Sequence, residues 1–567
     1  MGLLHEIFTT KQTLHTFDFG NTKTFDASAV KLNIIQNSIY GVDIEKGAVD
    51  IARLRFWLSL IVDEEKPKAL PNLDYKIVVG NSLVSKLGDD IIDIDWTLNE
   101  TSHGLFGADL AKQKGDLLKK ISKEQKEFFN PNSDKKKLAA DIRKLKIDLL
   151  ITQLELMVKT QGIETKPTGT NRNLAKQTEI NLQTIGWKNT FKDLQKLKTK
   201  TESPLHFFDW KLDFPEVLNS VITDKYGFDI VIGNPPYGGK FTEADKQFFK
   251  GRFKNKDSET ESYILFLELG GRLQSINGAL WYIIPSNIST NPSYNNICKH
   301  TLDNFSLQMI IDLGSNIFES ASVDSCIFAF KNQKLESVKL SCGKISSRDL
   351  ADSELKLFEQ KYFLTTPQNI FNFYINTETS DLIGKIQSSA SNKLSDFIDF
   401  SRGIEFGYSS DYVYDTKGRN RKPLIAGRCF NRYELRFDNK FVEVDFSDTS
   451  NFKTKAIYEN PKIFVRRIGK EIIAYLDTEN YYNVCDVYNL LPNSKKTDLN
   501  EILGLINSKC INYFFSNFFK NAKELFPKIP IKYLKEVPIS LSNGKISKLT
   551  KSVQKRRIEG KDTKSLE

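Results

Sequence analysis

Apolar and polar positions along the chain fall into three textures. Near the start, Ser38-Ile39-Tyr40-Gly41-Val42-Asp43 is a short apolar run ending in an acid, and Lys76-Ile77-Val78-Val79-Gly80-Asn81 is a second ending in a polar residue. Between them, Ala48 to Val62 carries helical spacing. Strand, helix, strand at this spacing predicts a parallel α/β unit, with ligands at the carboxyl ends of its strands. Residues 97–205 differ. Lys and Glu dominate, and Leu138, Ile142, Leu145, Leu149 and Leu156 repeat at helical spacing. That predicts a helical insertion, read as a hairpin, with an N-cap in Asn132-Ser133-Asp134 after Pro131. Strand texture returns at Phe228–Gly233 and runs straight into Asn234-Pro235-Pro236-Tyr237. A helix is predicted over Ser262–Leu273, a turn at Asn277-Gly278, and buried strands over 279–284, 309–313 and 325–330. From about 390 to 540 the chain changes again. Short β-like runs (441–444, 463–467, 471–475) precede helical text over 499–520, as in a separate α+β domain. The expected divisions are 1–96 and 206–375 for two segments of one α/β domain, 97–205 for the insertion, 376–545 for the C-terminal domain and 546–567 for a basic tail that frays.

Composition narrows the class. The 567 residues are 40% hydrophobic and 27% charged, which excludes a disordered chain. At about 150 residues per domain the length fits three or four domains. No apolar run approaches the roughly 18 to 20 residues of a membrane span. His5 and Glu6 interrupt the opening, so no signal-peptide core is read there. Eighty-one Lys and Arg against 71 Asp and Glu leave a net charge of +10, which permits a polyanionic partner. Cys298, Cys326, Cys342, Cys429, Cys485 and Cys510 lie far apart with no C-x-x-C, and five histidines include no close pair. Reduced, mostly buried thiols, a cytoplasmic location and no metal site are the expectation.

Asn234-Pro235-Pro236-Tyr237 is the sharpest chemical signal. Two consecutive prolines fix φ and remove two N–H groups, so the loop after the strand is stiff. Its carbonyls have no local donor, and the Asn side chain adds another acceptor. Together they can hold the two hydrogens of an exocyclic amine. The nitrogen lone pair then turns out of conjugation toward an electrophile. The tyrosine supplies a flat face for a base. The competing reading is a structural Asn-Pro-Pro turn.

With these residues in view, the chain resembles an amino-group DNA methyltransferase of the gamma class. More closely, it resembles the large adenine-specific methylases of type IIG restriction–modification systems, with a TaqI-like specificity domain. The matching pieces keep the family's order. They are Tyr40-Gly41-Val42-Asp43-Ile44, Leu54-Arg55-Phe56-Trp57-Leu58-Ser59-Leu60, Leu70-Pro71-Asn72-Leu73-Asp74, Gly80-Asn81-Ser82-Leu83, His206-Phe207-Phe208-Asp209-Trp210, Phe214-Pro215-Glu216-Val217 and Phe266-Leu267-Glu268. The resemblance implies a Rossmann-like methyltransferase sheet that uses S-adenosyl-L-methionine, and double-stranded DNA as partner. It implies that Asp43 holds the cofactor ribose, Asn81 meets its adenine and Phe266 packs nearby. Asn234 and the Pro235 carbonyl would orient the target amine. Tyr237 and Phe318 would sandwich the extruded adenine, whose flipping they help offset. Each lesser residue also has a bland reading: strand-end acid for Asp43, turn for Asn81, core for Phe266 and Phe318. The stretches 394–404, 423–428 and 458–463 resemble landmarks of the target-recognition domain. Arg402, Arg428, Arg466 and Arg467 are its candidate DNA contacts, or surface and structural arginines.

One family element has no match. The strand and glycine-rich loop that cradle the methionine end of the cofactor are not found before Tyr40, where Asp18-Phe19-Gly20-Asn21 is only a faint echo. No nuclease carboxylate–lysine set is found either. In this fold the unmatched strand is central, so its two neighbours are expected to show unpaired edges. The expected function is site-specific adenine methylation of DNA. The alternative is an inactive fragment or specificity subunit that needs a second polypeptide carrying the glycine-rich motif, and with it a nuclease. A methylase of protein glutamine or RNA is a third reading, disfavoured by the long C-terminal domain.

Overall fold

The computed structural model describes the chain except residues 1, 20–24, 63–72, 89, 93–95, 97–103, 131, 169–172, 201–204, 255–260, 290, 315–323, 346–353, 367–368, 375–376, 519–528, 562 and 564–567. The described residues form two compact units, 1–281 with 331–333, and 282–330 with 334–567.

In the first unit, helices α1 (Gly2–Phe19) and α2 (Ala27–Ser38) precede β1 (Gly41–Asp43). Asp26 starts α2 by accepting the Ala29 N–H at 2.9 Å. The helix α3 (Lys46–Ile61) then crosses to β2 (Ile77–Val79), which is parallel to β1 with Asp43 beside Val79. A parallel pair needs such a crossover. Ile34, Ile35, Val49, Phe56, Leu60 and Ile77 form the core beneath it. This is the strand–helix–strand unit that the apolar spacing predicts. A short hairpin, β3 (Lys86–Leu87) and β4 (Asp90–Ile91), follows.

The insertion has three long helices where a hairpin was expected: α4 (Gly104–Glu127), α5 (Lys135–Gln161) and α6 (Leu174–Thr199). Asp134 caps α5 as read from sequence, accepting the Lys137 N–H at 3.1 Å. The third helix, which a hairpin does not include, buries Asn181, Thr184, Thr190 and Leu194. It docks by Trp187, Phe191, Leu194 and Leu197 in an apolar core and by polar contacts beside them. The Asn181 amide donates to the Ile163 carbonyl at 2.8 Å, and the Thr184 hydroxyl accepts the Ile163 N–H at 3.0 Å.

Two short turns of helix, α7 (Trp210–Asp213) and α8 (Pro215–Leu218), lead to β5 (Phe228–Gly233). Then come α9 (Glu243–Arg252), α10 (Ser262–Leu273) and β6 (Gln274–Pro285), which passes into the second unit. Strand β5 and helix α10 have the predicted bounds. Strand β6 begins at Gln274, not Ala279, because Asn277 does not turn the chain; it sits within the strand at φ 67°. Strand β5 is the last strand of its sheet, and β1 with β2 stands as a separate pair. No described strand pairs with the outer edge of β1 or β5. Ile230 and Ile232 on β5 are 47% and 67% exposed, although a strand flanked on both sides buries such residues. Among the described residues these two edges have no strand partner. A cavity of about 910 Å3 opens between the feet of these strands, lined by Tyr40, Lys76, Phe228 and Ile230 and by Leu3 and Ile7 of α1.

In the second unit, after α11 (Asn295–Asn304), the end of β6 is followed in hydrogen-bonded order by β8 (Ser325–Lys331), β7 (Ser306–Gly314), β9 (Lys339–Lys344) and β10 (Glu354–Glu359). Farther on, two four-stranded sheets form the α+β portion. One joins 398–402, 487–492, 462–466 and 474–477; the other joins 413–414, 441–443, 421–425 and 482–483. The expected long helix is two, Leu499–Asn507 and Lys509–Phe518, broken at Ser508. The basic tail expected to fray is corrected by the structure: Lys545–Ile558 is a helix. Its inward positions are Ser547, Thr550 and Val553, too polar to announce a buried face. It packs closely because residue 504 is Gly; a Cβ there would lie 2.2 Å from Thr550 Oγ1. Among the described residues no helix is long and apolar enough to cross a membrane. Cys298, Cys326, Cys342 and Cys429 are buried free thiols.

Candidate functional site

In the first unit the candidate residues stand at the carboxyl ends of strands. Asp43 closes β1, and its carbonyl accepts the Gly80 N–H at 2.9 Å. One carboxylate oxygen accepts the Glu45 N–H at 2.8 Å, while the side chain stays exposed. Next to it, Asn81 follows β2 and folds its own turn: its side-chain oxygen accepts the N–H groups of Leu83 at 3.0 Å and Val84 at 3.3 Å. The turn reading of Asn81 is therefore realised, with the amide nitrogen left over for a ligand.

The segment 206–210, singled out only by its resemblance, builds the floor of this turn. Phe208 is 4% exposed and lies so close that a Cβ on Gly80 would come within 2.4 Å of its ring. Only glycine permits that approach. Trp210 donates its indole N–H to the Ser82 carbonyl at 3.0 Å. Phe266, on α10, is half-buried against the cluster of Leu83, Val84, Phe249, Phe253 and Leu265. The turn carrying Asn81 and the helix carrying Phe266 thus meet in one apolar cluster.

Asn234 is exposed directly after β5, and its side chain bonds to no described residue. Pro235 is buried and Pro236 exposed, so the loop alternates inward and outward. Ser262, the first residue of α10, ties it down. Its hydroxyl donates to the Pro236 carbonyl and accepts the Gly239 N–H at 3.3 Å. It is 1% exposed. The Pro236 carbonyl is thereby committed, while the Asn234 side-chain oxygen and the Pro235 carbonyl accept nothing from a described residue. Sequence reading missed Ser262 because a lone serine at a helix start reads as a cap; its loop partner lies 26 residues away. Ser262→Ala leaves both partners without their bond. It should speed amide exchange at Gly239 about tenfold, the equivalent of one lost hydrogen bond. Ser262→Thr should keep exchange slow, and equal rates in all three proteins would mean that the hydroxyl does not hold the loop.

Phe318, the expected second stacking face, lies outside the described residues. The donor set present fits the nucleoside half of S-adenosylmethionine: an exposed carboxylate at Asp43 for vicinal hydroxyls, an amide at Asn81 and an aromatic at Phe266. No described residues match a cradle for the methionine half.

The four candidate arginines belong to the second unit and divide into two kinds. Arg402 and Arg428 are exposed; Arg402 lies 3.9 Å from Glu405, and Arg428 lies 3.5 Å from Asp438 and over the Tyr408 ring. Arg466 and Arg467 are half-buried and bonded into the fold. Arg466 donates to the Phe430 carbonyl and, at 2.8 Å, to Asn431; burial holds its pKa below the ordinary arginine value. Arg467 donates to the Cys485 carbonyl at 3.4 Å.

Comparison with known proteins places the same regions. Residues 37–318 match the family model of the Eco57I restriction-modification methylase, and residues 422–539 match that of the TaqI-like C-terminal specificity domain. The Methanocaldococcus jannaschii protein RM.MjaORFECS2P, named as a type II restriction enzyme and methyltransferase, is 27% identical over 94% of this chain and 47% of its own length. The type II restriction enzyme and methyltransferase RM.Eco57I of Escherichia coli is 21% identical over 35% of this chain and 20% of its own. The chain thus spans about half the length of the first relative and matches a fifth of the second. Among solved structures, it is similar to the type IIL restriction-modification enzyme MmeI in complex with DNA, at 11% identity and TM-score 0.42 over 80% of this chain and 70% of that one. It is also similar to the type IIG restriction endonuclease BpuSI, at 13% identity and TM-score 0.26 over 79% and 69%.

Proposed function

For a chain that carries an Eco57I restriction-modification methylase domain followed by a TaqI-like C-terminal specificity domain, we propose site-specific methylation of DNA at the exocyclic amine of adenine. The observation that carries this reading is the pair of uncommitted oxygens on Asn234 and Pro235, held in a loop that Ser262 fixes from behind. Two acceptors fixed before the substrate arrives can take both amine hydrogens without reorganisation. The lone pair then points away from the ring, and the methylated nitrogen sheds its extra proton to water. Tyr237 gives the base a stacking face. The adenine must leave the duplex to reach this loop. Phe318 is proposed as the second face. S-adenosylmethionine supplies the methyl group when bound; Asp43, Asn81 and Phe266 would hold its nucleoside half. We place the protein in the cytoplasm, with double-stranded DNA as its partner.

A second reading is favoured by the bare edge of β5, with Ile230 and Ile232 exposed beside an open cavity. In it, the methylase sheet is completed by a strand from a second polypeptide that also carries the glycine-rich turn. Such a strand would add to both edges by main-chain hydrogen bonds.

One experiment separates the two. Radiolabelled S-adenosylmethionine is incubated with unmethylated mixed-sequence duplex DNA and the purified chain. Label in adenine is expected if the chain acts alone. DNA binding without label would favour the completed-sheet reading, and label in RNA or protein in preference to DNA would sink both.

A further inference from the structure

Arg466 and Arg467 each donate to a backbone carbonyl of their own unit, whereas a loop that the sequence reading passed over carries more exposed charge. Four of the six residues from 417 to 422 are Lys or Arg: Lys417, Arg419, Arg421 and Lys422. The loop is built, not slack. The Arg421 N–H donates to the Gly418 carbonyl at 3.2 Å, which closes a β-turn with Arg419 and Asn420 as its two central residues. The Arg421 side chain folds back beneath it. Its guanidinium lies 3.5 Å over the Tyr414 ring and donates to the carbonyl and hydroxyl of Thr416, each at 3.2 Å. Asp415 is held by Lys440, and Glu443 stands across the strand pair from Arg421. Lys422 lies 3.6 Å from Glu459. Lys417, Arg419 and Asn420 are exposed, and among the described residues neither Lys417 nor Arg419 has an acidic partner.

We infer that this turn is a DNA-contacting element of the C-terminal domain, with Lys417 on phosphate and the Arg419-Asn420 tip on base edges. The inference rests on the proposed DNA-methylating reading. The physical grounds are three. A cation without an acidic partner has no ion pair to break before it meets a polyanion. Arg pairs bidentately with guanine, and Asn with adenine, in the major groove, so the two tip residues are of the kinds that read sequence. The buttress of Tyr414, Thr416 and Arg421 holds the tip before DNA arrives, which is what a specific contact requires.

The test uses the full chain and duplex DNA without requiring catalysis. Affinity for a mixed-sequence 30-base-pair duplex is measured against salt for wild type, Lys417→Ala and Arg419→Ala, each checked for an unchanged melting temperature. Bound sequences are then selected from a random library. Lys417→Ala should weaken binding and flatten the plot of log affinity against log salt by about 0.9. Arg419→Ala should lose discrimination at one base pair of the selected sequence. If wild type binds and both variants match it in slope and selected sequence, the loop is not a contact and the inference is wrong, while the methylase reading stands. A changed slope for Arg419→Ala with an unchanged selected sequence overturns its base-reading role. No duplex binding by wild type overturns the inference and the DNA reading together.

Discussion

Asn234→Ala is expected to abolish label transfer to DNA, with a fall in turnover of at least about 10²–10³-fold and little change in stability. The size follows from the role. Removing one preorganised group that meets charge or hydrogens only in the transition state costs about that much in other enzymes. The specificity of the expectation comes from geometry. The side chain is exposed and bonded to no described residue, so its loss leaves nothing in the fold unsatisfied. DNA affinity should hold, because the proposed duplex contacts lie in the second unit. Asn234→Asp is the sharper variant. It keeps an acceptor oxygen, and a partial activity restored in Asp but not Ala would tie the effect to hydrogen-bond acceptance. A variant with wild-type turnover would mean that the loop is a structural Asn-Pro-Pro turn after all. If the wild-type chain alone transfers no label, the same comparison is made on binding of S-adenosylmethionine, which Asn234→Ala should leave unchanged and Asp43→Ala should weaken.

Parts of this architecture are legible in the sequence because apolar periodicity reports burial. Helix α10 has its predicted bounds since Tyr263, Ile264, Leu265, Leu267 and Leu273 give it an apolar inward face. The reading fails where burial is polar. Helix α6 hides Asn181, Thr184 and Thr190, and the C-terminal helix hides Ser547 and Thr550, buried positions that apolar spacing does not report. It fails for another reason at the site. The strand ends of Asp43, Asn81 and Asn234 can be named from sequence, since each polar residue directly follows an apolar run. Ser262 cannot, because its meaning lies in a carbonyl made available only by folding. The arginines show the converse error. A basic residue type says nothing about whether its guanidinium is already spoken for, and in Arg466 it is.

Lys462→Met is expected to cost the second unit about 3–5 kcal/mol, the usual consequence of leaving one member of a buried ion pair without its partner. Lys462 and Asp477 are 0% and 1% exposed, and they face each other across strands 462–466 and 474–477. The ammonium donates to Asp477 at 2.5 Å and to the Tyr458 carbonyl at 2.5 Å. The carboxylate in turn accepts the N–H groups of Glu479 at 3.0 Å and Tyr481 at 3.1 Å. One charge therefore organises the strand pair and the turn that leads to the stacked rings of Tyr458 and Tyr482, 4.6 Å apart. Burial already raises the Asp477 pKa against the pull of Lys462. Removing the lysine raises it further. A carboxyl whose folded pKa lies above its unfolded value contributes most below the unfolded value and loses that contribution as pH rises through the folded one. The deficit of Lys462→Met should therefore be smallest near pH 4 and grow toward neutrality. Adding Asp477→Asn should recover a large part of it, since Asn keeps an acceptor for the turn without a buried charge. Urea unfolding of wild type and the two variants between pH 4 and pH 8 gives the comparison. A deficit independent of pH, or no recovery in the double variant, would show that the lysine acts through packing of its stem and not through the pair. Because strand 462–466 also carries Arg466 and its bond to the Phe430 carbonyl, unfolding here disrupts the domain proposed to contact DNA. Duplex binding should therefore fall with the same midpoint as the unfolding transition.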